Sequence, residues 1–369
     1  MLTRGPGPRL RAWDWGRQRP AERSALGAAE PLTRQMMLVW DSRPQTCLLL
    51  LRPGGDTLEA GAAAARHLDK LGVRVLVEPG VLPLLQELPG LGFLQCFSPA
   101  EQRSLRRRVD FVACLGGDGV ILHASHLFRE GPIPPILSFN LGSLGFLTSH
   151  EFSDFRADVD RVVEHSWGGS AVRGVHVTLR MRLRCVICRG GRPLPDGVHD
   201  VLNEVVVDRG PAPFLSMIEC YERDRLITKV QGDGVMVATP TGSTAYSAAA
   251  GGPICHPSVP AMLFTPICPH TLSFRPVVLP DSSEIELRVP EDARSTAWVC
   301  FDGQRRQRLE RGDSLKVSMS PHPMPTINKN DQTDDWFLSL GRCLSWNERI
   351  EQRPLSAEWH RSSGDFPDG

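Results

Sequence analysis

The sequence predicts two domains: an α/β N-terminal domain with a parallel sheet, and a C-terminal β-rich, sandwich-like domain. A strand, helix, strand pattern begins at residue 46 and is continued by a second one, whereas short β-type runs dominate after about residue 171. The length of 369 residues suits two domains of roughly 100–200 residues each. We expect a flexible arm over 1–45, the α/β phosphate-binding domain over 46–170, the β-rich ligand-binding domain over 171–346 and a polar tail over 347–369.

The first 45 residues are rich in Arg, Pro and Gly and show neither strand alternation nor a helical period, as is typical of a flexible arm. An Arg-rich leader also suits a mitochondrial transit peptide, but Asp14, Glu22 and Glu30 weigh against that alternative. The sequence has no apolar run of the ~20 residues that a membrane span needs and no secretory signal. We therefore expect a cytoplasmic protein without a membrane partner.

The 42 basic and 42 acidic residues cancel, so net charge does not favour nucleic acid as a partner. An anionic ligand must then be bound by local geometry. The ten cysteines are irregularly spaced, which indicates reduced thiols rather than a disulfide framework. Cys185 and Cys188 form the one C-x-x-C pair, and the alternating apolar residues before them favour a strand over a zinc site.

The elements of the α/β domain follow in order from residue 46. Thr46–Leu51 is an apolar run typical of a buried strand, and it is followed by a Pro-Gly-Gly turn. A helix should come next, with Asp56 as its N-cap, Glu59 at N3 and Gly72 just beyond its end. The remaining elements predicted here are the strands Val73–Val77, Val109–Leu115 and Pro135–Phe139 and a helix over Val120–Phe128.

The second half of the chain alternates apolar and polar residues in short runs that are separated by turns. One helix interrupts this pattern, around Thr244–Ala250, where small residues allow close packing. The predicted strands are Val172–Leu183, Val201–Val207, Leu215–Tyr221, Val235–Ala238, Glu284–Val289, Ala297–Phe301 and Ser314–Ser318.

The strongest local signal is Gly116-Gly117-Asp118-Gly119, here called the first glycine loop, between a predicted strand and a predicted helix. Its glycines allow backbone N–H groups and the helix N-terminus to hold a phosphate. Asp118 would repel a bare phosphate, so we interpret it as accepting a proton from a hydroxyl nucleophile or touching a magnesium ion that bridges phosphates. The alternative is that Asp118 only caps the helix.

A second glycine loop, Asn140–Leu147, follows the next predicted strand. It therefore opens at the same carboxyl edge of the sheet, where ligands of open α/β sheets bind. Phe146 in this loop is either a core residue or a platform that stacks on a nucleobase. The two loops together predict a nucleotide site.

A third cluster combines Gly232-Asp233-Gly234 with the hydroxyl-rich segment Thr239–Ser247. The hydroxyl groups either cap a helix or bind a ligand, and Asp233 adds a carboxylate one strand away. Asn203 and Glu204 offer an amide and a carboxylate suited to ribose hydroxyls or an adenine amino group.

These motifs, in this order, resemble those of the NAD kinase family, as does the segment 265–276. The resemblance covers residues 46–346 and is nearest to the vertebrate cytosolic form. It implies an NAD kinase-like two-domain fold and a homo-oligomer whose sites are completed across subunits. It also implies transfer of the γ-phosphate of ATP to the 2′-hydroxyl of the adenosine ribose of NAD, giving NADP, with a divalent metal for which we expect Mg²⁺.

Matched to the family's motifs, Asp118 is the candidate catalytic base. Gly116, Gly117 and Gly119 would approach the phosphates, and Phe146 would lie at the adenine. The residues implied to line the dinucleotide site are Asn203, Glu204, Asp233, Thr244, Ala245 and Tyr246. No metal ligand is assigned.

Two alternatives remain open. A lipid kinase of the diacylglycerol or sphingosine type shares the Gly-Gly-Asp-Gly turn, although the 239–246 segment and Asn203-Glu204 favour a dinucleotide. The other is a catalytically weak dinucleotide-binding protein, because Val120 stands where the family usually has Thr and a hydroxyl is lost at the head of the helix. A P-loop is excluded, since no G-x-x-x-x-G-K-[ST] occurs.

Overall fold

The computed structural model describes residues 9–14, 19–20, 36–128, 131–142, 145–168 and 174–347. Its helices are α1 (Gly55–Lys70), α2 (Leu82–Gln86), α3 (Leu105–Arg108), α4 (Asp118–Leu127), α5 (Phe155–Glu164), α6 (Tyr246–Ala249) and α7 (Gln332–Leu344), with 3₁₀ turns at Gln102–Ser104, Phe152–Asp154 and Thr241–Thr244. Its strands up to residue 201 are β1 (Arg9–Asp14), β2 (Arg19–Pro20), β3 (Met36–Val39), β4 (Thr46–Leu51), β5 (Arg74–Val77), β6 (Gln95–Cys96), β7 (Phe111–Leu115), β8 (Ile136–Asn140), β9 (His150–Glu151), β10 (Val175–Arg180), β11 (Leu183–Arg189) and β12 (Arg192–Val201). Those that follow are β13 (Glu204–Asp208), β14 (Ser216–Glu222), β15 (Arg225–Gly232), β16 (Gly234–Ala238), β17 (Ala261–Ile267), β18 (Val277–Pro280), β19 (Ile285–Arg288), β20 (Ala297–Phe301), β21 (Gln304–Leu309), β22 (Ser314–Met319) and β23 (Met324–Ile327).

The first sheet has the order β2-β1-β3-β10-β23-β8-β7-β4-β5-β6, and β9 pairs with β8. The pairs from β23 through β8, β7, β4 and β5 to β6 are parallel. Strands β4, β7 and β8 are buried at every residue because helices cover both faces of the sheet. Helices α1 and α5 contribute to the core on one face and α4 to the core on the other. The predicted α/β domain with a parallel sheet is confirmed.

Two antiparallel six-stranded sheets form the second part, in the orders β12-β11-β22-β19-β14-β15 and β18-β17-β16-β13-β20-β21. Alternate residues from both sheets build one common apolar core, which makes the pair a sandwich, as predicted. Cys185 and Cys188 both lie buried in β11, so their predicted placement in a strand is confirmed.

The predicted strand Val172–Leu183 is wrong, because the structure divides it into β10 and β11. Strand β10 pairs antiparallel with β3 and β23 in the first sheet, whereas β11 pairs with β12 and β22 in the sandwich. The chain crosses between the sheets at Arg182. Its fully buried guanidinium donates hydrogen bonds to the carbonyl oxygens of His322 and Phe128. The described strands β10 and β23 therefore belong to the first sheet, although both follow residue 171, where we placed the start of the second domain.

The expectation that residues 1–45 lack strands is also wrong. Strand β3 lies between β1 and β10, and Met37 and Leu38 are buried there. A four-residue apolar run gives too little periodicity to be recognised from sequence, and pairing with distant β10 is what buries it. Strands β1 and β2 also lie within the predicted arm, whereas its residues 1–8, 15–18 and 21–35, and the tail after residue 347, lie outside the described residues.

Local details differ at two helices. Helix α1 begins at Gly55 with Gly54 as its N-cap and no side-chain cap, so the predicted capping role of Asp56 is wrong. Gly72 has φ +70° just beyond this helix, as predicted. The predicted helix Thr244–Ala250 is shorter, because a 3₁₀ turn over Thr241–Thr244 precedes α6.

Candidate active site

The first and second glycine loops meet at the carboxyl edge of the first sheet. Strands β7 and β8 are parallel neighbours, so the chain leaves both at this edge. The Gly116 N–H donates to the carbonyl oxygen of Phe139 over 2.9 Å, which holds the start of the first loop against β8. The predicted convergence of the two loops is confirmed.

Asp118 joins the two loops. Its carboxylate accepts hydrogen bonds from the backbone N–H of Phe146 (2.9 Å) and of Leu147 (3.0 Å). It makes no capping hydrogen bond to its own helix, whose N-cap is Gly117, so the capping alternative is wrong. A Cβ at Gly145 would lie 2.0 Å from Asp118 Oδ1, so only glycine at 145 allows the carboxylate to approach this backbone.

Asp118 and Arg180 form the charged part of this edge. Burial raises the pKa of the Asp118 carboxyl, and the two N–H donors and the nearby Arg180 only partly oppose that effect. Burial lowers the pKa of Arg180 to about 10, with Asp118 and Asp335 opposing the shift. Arg180 is thus still a cation at neutral pH, and it faces a carboxylate that accepts a proton more readily than an exposed one.

The three glycines of the first loop differ in the reason for which a side chain is absent. Gly116 has φ +134°, a conformation that a side chain rarely adopts, and a Cβ there would meet Val120 Cγ2 at 3.0 Å. A Cβ at Gly117 or Gly119 would meet no atom of the described residues within 4 Å. Packing does not require glycine at these two positions, whereas close approach of a ligand to the backbone would require it. Val120 is 7% exposed and packs in the core beneath the loop.

Asn203 and Glu204 lie in a turn that Asp302 holds. The buried Asp302 carboxylate accepts hydrogen bonds from the backbone N–H groups of Leu202 (2.9 Å), Asn203 (2.7 Å) and Glu204 (3.2 Å). Asp302 itself has φ +47°, and residues held in such conformations cluster at functional sites. We did not single out Asp302 from the sequence. The Asp302-Gly303 pair between two β-type runs is a hairpin signal that places it in a turn, but nothing local shows what its carboxylate holds.

The hydroxyl-rich segment packs directly on this turn. The Thr239 hydroxyl donates to the Leu202 carbonyl over 2.6 Å, and the Thr239 N–H donates to the Asn203 carbonyl over 2.8 Å. A Cβ at Gly242 would lie 2.2 Å from the same Asn203 oxygen, so Gly242 permits this contact. The structure therefore brings together two predicted motifs that are about 40 residues apart in sequence.

The remaining predicted residues surround the same region. Thr244 is half-buried and its hydroxyl lies 3.4 Å from the Thr241 carbonyl oxygen, and Ala245 links the 3₁₀ turn to α6. Burial raises the pKa of the Tyr246 hydroxyl, and Asp208, Asp233 and Glu204 add to that shift, which shows that these acids lie near it. Asp233 is paired with Arg209 over 2.7 Å. In the part of the chain that the structure describes, no hydrogen bond or ion pair joins Asp233 to Asn203.

Two contacts connect the halves of the site. Arg180, which faces Asp118, lies 3.5 Å through Nη1 from the Thr241 hydroxyl. On the other side, His126 Nε2 in α4 lies 3.4 Å from Asp302 Oδ2. Strand β10 and helix α4 therefore each link the region of the first glycine loop to the region of the Asn203–Glu204 turn. Phe146 lines a small cleft together with Arg180 and Trp336 of α7.

Glu204 is the most strongly perturbed acid of the site. It is 6% exposed, and burial, aided by the nearby Asp302, raises its pKa to about 8. Its Oε2 has no hydrogen-bond partner among the described residues. A buried polar atom without a partner usually marks a place that a ligand or water completes.

Replacing Glu204 by Gln is expected to stabilise the protein progressively as pH rises from 5 to 8. In the unfolded state Glu204 ionises near pH 4.5, whereas in the folded state its pKa is about 8. The free energy of unfolding of the wild type therefore falls as pH rises between these values, and that of the Gln variant does not. The gain at pH 8 should be about 1–3 kcal/mol. Urea unfolding at pH 5 and pH 8 measures it. An equal gain at both values would show that Glu204 is not protonated in the folded state.

Among the described residues, no group of three His, Cys, Asp or Glu side chains is arranged to hold a metal ion. Nor does any helix in the described ranges have the length and apolar character of a membrane span.

The fold and the site define a class: an α/β domain with two glycine loops at one sheet edge, joined to a β-sandwich. Residues 97–167 match the family model described as the ATP-NAD kinase N-terminal domain, and residues 202–329 match the ATP-NAD kinase C-terminal domain. The chain belongs to the NAD kinase family.

Several relatives agree with this assignment. NAD kinase 2, chloroplastic, of Arabidopsis thaliana is 61% identical over 333 residues, which are 90% of this chain but 33% of the relative. Putative NAD kinase 3 of Oryza sativa subsp. japonica is 41% identical, covering 90% of this chain and 67% of the relative. The chain thus spans about a third of the length of the first of these relatives.

Two solved structures share the fold. The crystal structure of yeast NADH kinase complexed with NADH has a TM-score of 0.77 at 30% identity and covers 88% of this chain and 95% of that one. The crystal structure of an NAD kinase from Archaeoglobus fulgidus in complex with ATP has a TM-score of 0.59 at 22% identity. It covers 80% of this chain and 98% of that one. The NAD kinase-like two-domain fold is confirmed.

Proposed function

We propose that this protein transfers the γ-phosphate of ATP to the 2′-hydroxyl of the adenosine ribose of NAD, giving NADP. The observation that carries the proposal is the desolvated Asp118 carboxylate, held between two glycine loops at the sheet edge. The family assignment and the relatives named NAD kinase support the substrates.

Asp118 would act as the base. Each of its oxygens accepts one backbone N–H, and a carboxylate oxygen has two lone pairs, so each can still accept a proton from a ribose hydroxyl. Its raised pKa brings the carboxylate nearer to the basicity that proton transfer near neutral pH needs. As the hydroxyl oxygen bonds to the γ-phosphorus, its proton passes to Asp118 and ADP leaves. Gly117 and Gly119 would bring their N–H groups to the phosphates.

Mg²⁺ fits this site as a partner of ATP rather than as an ion caged by the protein. The described residues hold no ready cluster of ligands, and Mg²⁺ commonly binds through one or two carboxylates together with substrate phosphates. When bound, it would neutralise charge on those phosphates. Asp118 would contact it only through the carboxylate oxygen that does not take the ribose proton.

NAD would be recognised mainly by the β-sandwich side. Asn203 and Glu204 lie in the turn held by Asp302, which packs on the segment that leads to Thr244, Ala245 and Tyr246. A protonated Glu204 is able both to donate and to accept a hydrogen bond at a ribose or adenine edge. Phe146 would lie at the adenine.

Replacing Asn203 by Ala is expected to raise the KM for NAD about tenfold while kcat changes little. Contacts that bind ground state and transition state equally affect KM alone, and a lost hydrogen bond inside a site is worth about 1.4 kcal/mol. The backbone bonds of residue 203 to Asp302 and Thr239 do not depend on its side chain. Steady-state kinetics of the wild type and the variant measures both constants. A large fall in kcat at unchanged KM would contradict a role of Asn203 in binding NAD.

The direct test incubates the purified chain with ATP, Mg²⁺ and NAD, and measures NADP with glucose-6-phosphate dehydrogenase. NADP formation supports the proposal. Binding of NAD without turnover would support instead a catalytically weak dinucleotide-binding protein. Phosphorylation of diacylglycerol or sphingosine would support a lipid kinase. Parallel assays with NADH define which form is preferred.

We also propose a homo-oligomer with sites completed across subunits. The edge strand β18 supports it, because Val277 and Val278 are 47% and 53% exposed there and an apolar sheet edge favours association. Specific activity is expected to fall on dilution, together with the mass measured by light scattering. A fully active monomer would refute this.

The cytoplasmic location stays a prediction. Two relatives with 61% identity are named chloroplastic, so the alternative destination to test is a plastid. Imaging of the full chain fused to a fluorescent protein distinguishes the two.

A further inference from the structure

A second cleft lies at the far end of α4 from Asp118. Its volume is about 370 Å³, and it is lined by Pro99, Gln102, Arg103, Arg106, the end of α4 and Arg305 of β21. His126, eight residues after Asp118, is about 12 Å further along the helix axis. The cleft is large enough for a small ligand.

Cations line this cleft. Arg103, Arg106 and Arg305 come from three separate elements, the 3₁₀ turn 102–104, α3 and β21, and their exposed side chains converge on one cavity. A Cβ at Gly131 would lie 2.2 Å from Arg106 Nη1, so the glycine allows this guanidinium to lie against the backbone. Glu101, the nearest acid in sequence, is paired with Arg108 over 2.5 Å. Converging guanidinium groups suit a phosphate, which they bind by paired N–H donors.

The wall of the cleft contains a buried polar group that needs a partner. His126 is 8% exposed, its Nδ1 has no hydrogen-bond partner among the described residues, and its Nε2 has only the 3.4 Å contact with Asp302. The carbonyl oxygens of Phe128 and Gly131, which would repel an anion, are already occupied by the buried Arg182, which donates to them over 3.2 and 2.9 Å. The charge of Arg182 is itself offset by Asp200, 3.6 Å away, so the positive charge of the cleft comes from the three exposed arginines.

We propose that this cleft binds a small phosphorylated anion at the same time as ATP occupies the Asp118 site. The three arginines would hold the phosphate group, and the buried His126 in the wall of the cleft would link the site to Asp302. The chemistry is shared by inorganic phosphates and by the phosphate group of a sugar phosphate.

Occupancy of the cleft should alter NAD binding, a part that rests on the proposed function of Asn203 and Glu204. His126 contacts Asp302, and Asp302 holds the turn that carries both residues. By linkage, NAD must change the affinity for the anion by the same factor.

Calorimetric titration of the full chain tests the site without turnover. Inorganic phosphate, pyrophosphate and ribose 5-phosphate are each titrated with saturating ATP present and NAD absent. We expect the wild type to bind pyrophosphate or ribose 5-phosphate, and the double variant Arg103→Gln/Arg305→Gln to bind at least about tenfold more weakly, since charge-assisted bonds are lost. The probe that binds more tightly identifies the source of the phosphate.

A matched control is Arg192→Gln/Arg225→Gln, which removes two exposed arginines from the sandwich and should bind as the wild type does. The proposal is overturned if the wild type binds none of the probes, if the cleft variant keeps wild-type affinity, or if ATP displaces the probe. Far-ultraviolet circular dichroism confirms that each variant is folded.

The Kd for NAD, measured with and without pyrophosphate, should differ at least twofold in the wild type and not in the cleft variant. No difference would overturn the coupling.

Discussion

Asp118→Asn is expected to reduce kcat for NADP formation by about 10²–10⁴-fold, because the amide cannot accept the ribose proton. Asn keeps the size and one acceptor oxygen, so one of the two bonds to the Phe146 and Leu147 N–H groups survives. The expected loss of stability is therefore only about 1 kcal/mol. Steady-state kinetics and thermal unfolding of the same preparations separate the two effects.

Asp56→Asn is the matched control, because Asp56 also lies in the first turn of a helix but is exposed. It should leave both kcat and stability unchanged.

Val120→Thr, which restores a hydroxyl near the loop, should leave turnover equal or higher. Near wild-type turnover by Asp118→Asn would sink the catalytic assignment, and a large loss of stability with intact kcat would make Asp118 a structural link only.

Asp302→Ala is expected to destabilise the protein by about 3–5 kcal/mol, since three backbone N–H groups lose their buried acceptor at once. Alanine also tolerates φ +47° poorly. Asp302→Asn should lose only about 1–2 kcal/mol, because Asn tolerates that conformation and keeps the oxygen for residues 203 and 204. Urea unfolding measures both.

Asp224→Ala, at an exposed turn of the same domain, serves as the control and should change stability by less than about 0.5 kcal/mol. If Asp302→Ala were equally mild, Asp302 would not be what holds the 202–204 turn. The KM of Asp302→Asn for NAD should rise with the loss of stability, because the turn carries the proposed NAD contacts.

The pairing of the two glycine loops was predictable because it rests on local signals and one general rule. Each loop follows an apolar strand directly, and parallel strands leave the sheet at one edge. The role of Asp118 was only half predictable. The residue type indicated chemistry, but the choice between a helix cap and a link to the second glycine loop depended on N–H groups 28 and 29 positions later.

Arg180 shows why other residues were missed. Its surroundings in sequence are those of an ordinary strand, and its charge matters only because β10 leaves the predicted second domain and joins the first sheet beside Asp118. Asp302 is similar, since it acts on a turn about 100 residues away. Alternation within a strand reports which residues are buried, and it carries no information about which sheet the strand joins.

The sequence by itself determined the order of elements, the two glycine loops, the candidate base and the family, because these depend on contacts between near neighbours and on motifs with fixed spacing. The tertiary structure alone decided that β10 and β23 complete the first sheet, that Asp302 organises the Asn203–Glu204 turn, and that Arg180 faces Asp118. The physical reason is that burial and electrostatic pairing depend on distance in space, and the pairing of distant strands sets that distance.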